Sequence, residues 1–367
     1  MSGPPLRVPF NVLRPLDDER PAIDAAITRV IDSGWFVLGP EVAAFEAEFA
    51  AAVGAAHAVG VNTGTDALAL ALRALGIGPG DEVITSPLSA AYSALAIDMT
   101  GARPVFADID PERLTLDPAA AEAAITPRTR ALMPVHLYGQ PADMTAIGAV
   151  AARHRLFVVE DACQAHLATH RGVPVGRGSA ATAYSFYPTK NLGALGDGGA
   201  VTTDDPAVAE RIKRLRNGGQ SSRYHHDQRG VNTRLDELQA AVLRAKLPGL
   251  AARTTVRRRL AADYRARLQG TPVHLPREFD PGHVYHLFPV LIDHRDRFQA
   301  HMRDAGIDTL IHYPVPIPRQ PAAATWAPSQ CPNADRVCAG VVSLPLYPSL
   351  TAAAVAEVAA AVAAFSR

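Results

Sequence analysis

The chain has 367 residues, which at about 150 residues per domain predicts roughly two domains and a sizeable buried core. Its 36 Lys and Arg residues balance its 36 Asp and Glu residues, so it lacks the net positive charge that draws proteins to nucleic acid. An apolar fraction of 48%, with 30 Pro and 27 Gly in no regular period, excludes a disordered chain and a collagen-like fibre.

Targeting signals and cysteine usage predict a cytoplasmic protein that is not exported. Residues 1–7 lack the apolar run of about 7–15 residues that a secretory signal contains. The most apolar stretch, 351–365, is dominated by alanine and contains a glutamate, which predicts a helix outside a membrane. Cys163, Cys331 and Cys338 are an odd set without a C-x-x-C pair, which argues against a disulfide framework and a zinc ribbon.

Strands and helices alternate through the first part of the chain. Two helices come first, at 21–33 and 41–53, and a glycine follows each. The predicted strands are then 58–61, 82–85, 104–106, 131–135 and 156–160, and the predicted helices are 66–75, 89–99, 117–125 and 144–154. Such alternation predicts an α/β fold with a mostly parallel sheet, helices on both faces and ligands at the carboxyl ends of the strands.

The pattern changes near Gly249. A helix at 251–268, a strand at 284–292, a helix at 295–305, a strand at 308–312 and a last helix from 351 predict a smaller α+β unit. We therefore expect a large domain of residues 1–248 and a small C-terminal domain of residues 249–367.

Two predicted strand ends carry residues suited to a charged ligand. Gly64 and Thr65 follow a strand and begin an apolar helix, where backbone N–H groups stabilise an anion such as phosphate. Asp161 ends the most apolar strand, so its carboxylate is expected in the ligand crevice. Each feature has a simpler interpretation as well, because Thr65 or Asp66 could merely cap the helix and Asp161 could form a structural ion pair.

Lysine is rare in this chain, and one lysine lies in unusual surroundings. Only Lys190, Lys213 and Lys246 occur, and Lys190 is followed by an apolar, glycine-rich segment whereas Lys213 belongs to a charged helix. A poorly solvated amine has a lowered pKa and can act as nucleophile and base, as a Schiff-base lysine must. The alternative is a lysine that extends along the surface.

These residues and their surroundings resemble the pyridoxal-phosphate-dependent nucleotide-sugar aminotransferases of the DegT/StrS type, within the fold-type-I aminotransferases. The resemblance runs from about Gly34 to Tyr347 and implies a mostly parallel seven-stranded sheet flanked by helices. The motifs that carry it are Gly39-Pro40-Glu41, Gly64-Thr65-Asp66-Ala67-Leu68, Pro134-Val135-His136-Leu137-Tyr138-Gly139-Gln140, Glu160-Asp161-Ala162, Lys190-Asn191-Leu192-Gly193, Asn232-Thr233-Arg234-Leu235-Asp236-Glu237 and Ile311-His312-Tyr313-Pro314.

The resemblance implies specific roles for two residues. Lys190 would join covalently to pyridoxal 5'-phosphate and afterwards move the proton between the substrate carbon and the cofactor carbon. Asp161 would pair with the pyridine nitrogen and keep it protonated, so that the ring accepts electron density.

Further cofactor contacts are implied for Gly64, Thr65 and Ser185 at the phosphate, and for Gln164 near the ring or its phenolic oxygen. Asn232 would reach the phosphate from the neighbouring subunit, which implies a homodimer with a shared active site.

The resemblance also implies the two substrates. An amino acid, glutamate, would donate the amino group, and a nucleotide-linked keto-deoxysugar would accept it. The segments 192–197 and 309–314 are more similar to the branch that acts on 3-keto sugars, with a 4-keto sugar or a keto-cyclitol as the alternative.

Substrate or partner-subunit contacts are implied for His225, His226, His312 and Tyr313, although the histidines could equally be buried polar residues with structural partners. Arg234 would bind the donor carboxylate or form an ion pair with a neighbouring acidic residue.

One position departs from the family pattern. Where the family carries an aromatic residue that stacks on the cofactor ring, this chain has Ala90, and Tyr92 is the nearest aromatic.

Other functions are weaker hypotheses. A sugar dehydratase of the same family would have histidine in place of Lys190. A binding or regulatory protein without catalysis would not need Lys190 together with Asp161. An oxidoreductase is disfavoured because no G-x-G-x-x-G follows the first strand, and His166 with His170 lacks the H-E-x-x-H context of a metal site.

Overall fold

The computed structural model describes residues 6–326 and 329–366. Its strands are β1 (His57–Val61), β2 (Glu82–Thr85), β3 (Arg103–Phe106), β4 (Thr129–Met133), β5 (Phe157–Asp161), β6 (Thr169–His170), β7 (Val173–Pro174), β8 (Ala181–Ser185), β9 (Gly199–Thr203), β10 (Gln220–Ser222), β11 (His225–His226), β12 (Phe288–Leu291) and β13 (Val341–Leu344). Its α-helices are α1 (Arg20–Ser33), α2 (Pro40–Val53), α3 (Gly64–Ala74), α4 (Tyr92–Asp98), α5 (Pro118–Ala123), α6 (Met144–His154), α7 (Pro206–Leu215), α8 (Glu237–Lys246), α9 (Leu250–Arg267), α10 (Arg295–Asp304), α11 (Pro332–Gly340) and α12 (Ala352–Ala364).

Seven strands form the central sheet, in the order β1-β9-β8-β5-β4-β2-β3. The strands β8, β5, β4, β2 and β3 pair in parallel, and β9 is antiparallel to both of its neighbours. The prediction of an α/β fold with a mostly parallel seven-stranded sheet is confirmed. Strand order reverses between the neighbours β2 and β4, and in such sheets ligands bind at the carboxyl ends near that point.

Local sequence signals explain where the helices that frame the sheet begin and end. Gly34 and Gly54 end α1 and α2 with φ values of 64° and 75°, in the left-handed region that glycine adopts without a steric penalty. Thr63 caps α3, because its side-chain oxygen accepts a hydrogen bond from the amide of Asp66.

An aromatic cluster packs beneath the end of β8. The rings of Phe49 and Tyr184 lie 5.0 Å apart edge to face, and Phe186 lies 5.2 Å from both Phe45 and Phe49. Each such ring pair stabilises a fold by about 0.5–1.5 kcal/mol beyond area burial. The segment between β8 and Lys190 therefore begins in a well-packed part of the core.

The C-terminal region has its own core, formed by α9, α10, α12 and the two-stranded sheet β12–β13. Val8, near the start of the described chain, also packs in this core and bridges to Ile307. The predicted boundary between residues 248 and 249 stays a prediction.

One predicted element is absent, and two others are shorter than predicted. The segment 308–312 is not a strand, because only Leu310 pairs with β13, through a single bridge to Ser343. The helix predicted at 89–99 is shorter and spans Tyr92–Asp98, and the strand predicted at 284–292 spans only Phe288–Leu291.

Among the residues that the structure describes, no helix combines the length and the hydropathy that crossing a membrane would require.

Candidate active site

A cavity of about 570 Å³ opens at the carboxyl ends of the parallel strands. This volume falls within the range of about 300–1,000 Å³ that is usual for small-molecule sites. Its lining residues follow β1, β2, β4, β5 and β8: Thr63, Gly64, Thr65, Leu68, Ser89, Ala90, Tyr92, Ser93, Val135, Asp161, Cys163, Gln164, Ser185, Tyr187, Lys190, Asp197 and Tyr313. The structure thus brings together Gly64, Thr65, Asp161, Gln164, Ser185, Lys190 and Tyr313 from the predicted set.

Asp161 ends β5 and is only 4% exposed. Its Oδ2 accepts a hydrogen bond of 2.7 Å from the Ser93 hydroxyl, and its Oδ1 accepts one of 3.1 Å from the amide of Cys163. A buried carboxylate is stable only when it is hydrogen-bonded and paired with a cation. The geometry therefore holds an acceptor ready for a positively charged donor in the cavity.

Lys190 follows β8 and lines the same cavity. Burial lowers the pKa of its amine, and the nearby Cys163 and Asp161 only partly offset that effect. A larger fraction of this amine is neutral near pH 7 than for an ordinary lysine. Lys190 thus has the character of a nucleophile and base.

The beginning of α3 forms a cradle for an anion. The side-chain oxygen of Thr63 accepts a hydrogen bond from the amide of Asp66. Gly64 and Thr65 line the cavity, and their amides at the start of the helix remain available to a ligand. A Cβ atom added to Gly64 would lie 2.7 Å from the Cβ of Ser185 and 2.8 Å from the Sγ of Cys163. Only glycine lets the helix start approach the end of β8 this closely.

Gln164 and Tyr313 form a fixed pair at the wall of the cavity. The side-chain oxygen of Gln164 accepts a 2.7 Å hydrogen bond from the amide of Tyr138, and its Nε2 donates to the Tyr313 hydroxyl at 3.1 Å. Because Gln164 supplies a donor there, the Tyr313 proton is available to a ligand. Burial raises the pKa of Tyr313 to about 12, so the hydroxyl stays protonated.

Four predicted residues do not line the cavity of the single subunit. His312 is directed to Ser343, with 3.0 Å between Nδ1 and Oγ, and burial lowers its pKa to about 4, so it is neutral. His225 and His226 form β11 and are exposed, and Asn232 is exposed in the following loop.

Arg234 donates to the side chain of Asn217 at 2.8 Å. In the described chain it forms no ion pair with Asp236 or Glu237, and it does not line the cavity. The donor-binding hypothesis for Arg234 therefore needs a second subunit.

The two histidines considered for a metal have other surroundings. His166 packs against the rings of Tyr184 and Phe186, and burial lowers its pKa to about 3. His170 contacts Thr145 at 3.1 Å. Within residues 6–326 and 329–366, no group of three or more His, Cys, Asp and Glu side chains could hold a metal ion.

Several cavity residues were not predicted from the sequence, namely Ser89, Ser93, Cys163, Tyr187 and Asp197. Cys163 and Tyr187 stand within three residues of Asp161 and Lys190, which was an available signal. Ser89 and Ser93 are four residues apart, the spacing that places side chains on one face of a helical turn.

The donor set fits pyridoxal 5'-phosphate. The amides of α3 with Ser185 suit its phosphate, the amine of Lys190 suits its aldehyde, and the carboxylate of Asp161 suits its ring nitrogen. A lysine and a buried carboxylate around such a cavity are what a pyridoxal-phosphate-dependent aminotransferase of fold type I requires.

Comparison with known proteins agrees with this class. The profile of the DegT/DnrJ/EryC1/StrS aminotransferase family matches residues 17–363, and the chain belongs to this family. A dTDP-3-amino-3,4,6-trideoxy-alpha-D-glucose transaminase from Streptomyces venezuelae is 53% identical over 351 residues, which cover 94% of this chain and 92% of that protein.

Two further similarities extend over nearly the whole chain. The erythromycin biosynthesis sensory transduction protein EryC1 from Saccharopolyspora erythraea is 52% identical over 90% of this chain and 92% of its own. The crystal structure of DesV from S. venezuelae, in complex with a ketimine intermediate, has a TM-score of 0.94 and 51% identity over 98% of both chains. The predictions of an aminotransferase and of pyridoxal phosphate as its cofactor are confirmed.

The lowered pKa of Lys190 has a measurable consequence. When pyridoxal phosphate is added to cofactor-free protein, the rate at which visible absorbance develops is expected to rise with pH, because only the neutral amine reacts. The midpoint should lie below the 10.5 of an ordinary lysine, since burial lowers this pKa. A midpoint at or above that value would contradict the environment described for Lys190.

Ala90 lines the cavity, and Tyr92 is at its exposed rim. Ala90→Phe is expected to lower the dissociation constant of pyridoxal phosphate about 2- to 10-fold, because an aromatic face adds about 0.5–1.5 kcal/mol of stacking. Ala90→Leu is the control, since it adds volume without a ring. Equal affinities of the phenylalanine and leucine variants would show that no stacking position exists here.

Proposed function

We propose that this enzyme transfers an amino group from glutamate to a nucleotide-linked keto-deoxysugar whose ketone is at carbon 3. Transamination of a 3-keto sugar yields a 3-amino sugar, which is the product class in the name of the S. venezuelae transaminase. The observation that carries the proposal is that Lys190 and Asp161 line one cavity of about 570 Å³.

Different residues of the chain would have different roles in this reaction. When bound, pyridoxal phosphate supplies an electron sink that stabilises negative charge on the carbon that loses a proton. Asp161 would keep the ring nitrogen protonated, and the Lys190 amine would move the proton between the substrate carbon and the cofactor carbon. Gly64, Thr65 and Ser185 would hold the phosphate, and thereby the position of the ring.

Tyr313 and Gln164 are the other cavity residues with a proposed role. Their fixed hydrogen bond places the Tyr313 hydroxyl in the cavity as a donor for the ring oxygen or for the sugar. His312 is left out of this scheme because its imidazole faces Ser343.

A homodimer with a shared active site is part of the proposal. Trp35 and Phe36 are 56% and 50% exposed in the loop between α1 and α2, and such an apolar surface fits a partner subunit. His225, His226 and Asn232 are exposed outside the cavity, so they are free to reach the cavity of that partner.

Mixed dimers test this arrangement. Lys190→Ala should be inactive alone, and Asn232→Ala should lose about 10- to 100-fold through a missing phosphate contact. Co-expression of the two variants is expected to restore about a quarter of wild-type activity, because half of the dimers are mixed and each mixed dimer has one complete site. No recovery would show that Asn232 does not act from the neighbouring subunit.

Substrate specificity is tested with purified protein. Incubation with glutamate and a dTDP-linked 3-keto-6-deoxysugar is expected to release 2-oxoglutarate in amounts equal to the amino sugar formed. The matched 4-keto sugar is the control acceptor, and a faster reaction with it would replace the proposed acceptor by the alternative.

A regulatory role is the second candidate, because EryC1 carries the description of a sensory transduction protein. The same incubation separates the two candidates. A protein that binds no pyridoxal phosphate and releases no 2-oxoglutarate with any keto-sugar would favour regulation.

We also infer a cytoplasmic location. All three cysteines are free thiols, and Cys331 and Cys338 are buried, as expected for a protein that folds in a reducing compartment.

A further inference from the structure

Ser89 and Ser93 line the cavity and have no role in the scheme above. Ser93 belongs to α4 and reaches Asp161 at the end of β5, so its hydrogen bond of 2.7 Å joins two elements far apart in sequence. Both serines and Asp161 are buried. We propose that Ser93 is a positioning residue that fixes the orientation and the charge of the Asp161 carboxylate, an inference that rests on the proposed function.

Charge balance in the cavity explains the need for this donor. A buried carboxylate loses its hydration and must regain hydrogen bonds from the protein. Lys190 is the cation that lines the cavity in the described chain, and burial disfavours its charged form. Hydrogen bonds from Ser93 and from the Cys163 amide therefore stabilise the ionised carboxylate before any cofactor is bound.

Orientation is the second contribution. The amide of Cys163 holds Oδ1 from within the same turn, and Ser93 holds Oδ2 from another element. Two donors in different directions prevent rotation of the carboxylate plane. The ring nitrogen of the cofactor would then meet an oxygen whose position is already set, which lowers the entropy cost of binding.

Ser89 supports Ser93 in turn. The two hydroxyl oxygens are 3.0 Å apart. Since the Ser93 proton is directed to Asp161, the Ser93 oxygen accepts the proton of Ser89. This direction of donation makes Ser93 a stronger donor, so Ser89 has the smaller and indirect effect.

Binding of pyridoxal phosphate to cofactor-free protein is the measurement. Ser93→Ala is expected to raise the dissociation constant about 10-fold or more, because it removes a hydrogen bond to a charged group. With cofactor labelled with ¹⁵N in the ring, the nitrogen signal should shift toward the unprotonated form. Ser93→Thr retains the hydroxyl and should restore both values to near wild type, and Ser89→Ala should fall between.

The outcomes separate this inference from others. A wild-type dissociation constant and ¹⁵N signal for Ser93→Ala would overturn it. The inference would also be overturned if Ser93→Thr failed to restore the affinity for pyridoxal phosphate and the cofactor-free protein had a lower melting temperature. That result would indicate a packing role for Ser93. Should Ser93→Ala fail to fold, Ser93→Cys keeps the side-chain shape with a weak donor and is expected to show the same shifts. A wild-type protein that binds no pyridoxal phosphate would refute the proposed function itself.

Discussion

Replacement of Lys190 by alanine is expected to lower kcat about 10³-fold or more and to abolish the visible absorbance that develops with pyridoxal phosphate. Both effects have one cause, because the same amine binds the aldehyde and moves the proton between the two carbons. Formation of 2-oxoglutarate measures the first effect, and absorbance of the purified protein measures the second.

Two control variants show whether the loss of activity comes from the reactive amine of Lys190, rather than from its charge or from the removal of any lysine. Lys190→Arg retains the positive charge without a nucleophilic amine and should behave like the alanine variant. Lys213→Ala removes an exposed lysine of α7 and should leave both measurements unchanged. If Lys190→Ala kept kcat within tenfold of wild type, the assignment of Lys190 would be wrong.

The fold was predictable to the extent that its signals are local. The parallel strands β4 and β5 are short, largely apolar runs on either side of α6, and this alternation is visible in the sequence. The pairing of β12 with β13 was not predictable, since 49 residues separate Leu291 of β12 from Val341 of β13 (341 minus 291, less one) and proline-rich sequence lies between them. The segment around Leu310 was predicted as a strand, yet its pairing with β13 is limited to the single bridge between Leu310 and Ser343.

The residues of the candidate site were likewise predictable only where their signal is local in the sequence. Asp161 and Gly64 were predicted because each lies at the carboxyl end of a strand, where the topology of a parallel sheet concentrates ligand contacts. Ser93 was not found, because its partner is 68 positions away and a hydrogen bond between side chains leaves no periodic pattern. The role proposed for Asn232 would depend on the surface of a second subunit, which a single chain does not contain.

Asp161→Asn is expected to lower kcat about 10²- to 10⁴-fold while the protein stays folded. Asparagine has nearly the same shape and can keep the contact with Ser93, but it carries no charge to hold the proton on the ring nitrogen. The ring then accepts electron density poorly, and a loss of this size corresponds to about 3–5 kcal/mol of transition-state stabilisation. The dissociation constant of pyridoxal phosphate should rise as well, because an ionic contact is lost.

The same substitution has a second, independent consequence for Lys190. The charge of Asp161 is one of two influences that raise the pKa of this amine against the effect of burial. Without it the pKa of Lys190 falls further, so the pH midpoint for reaction with pyridoxal phosphate should move below that of the wild type. Asp197→Asn removes an exposed carboxylate from the same cavity and should leave kcat and the midpoint nearly unchanged. An unchanged midpoint in Asp161→Asn, or equal effects of the two substitutions, would show that the carboxylate of Asp161 does not act on the amine.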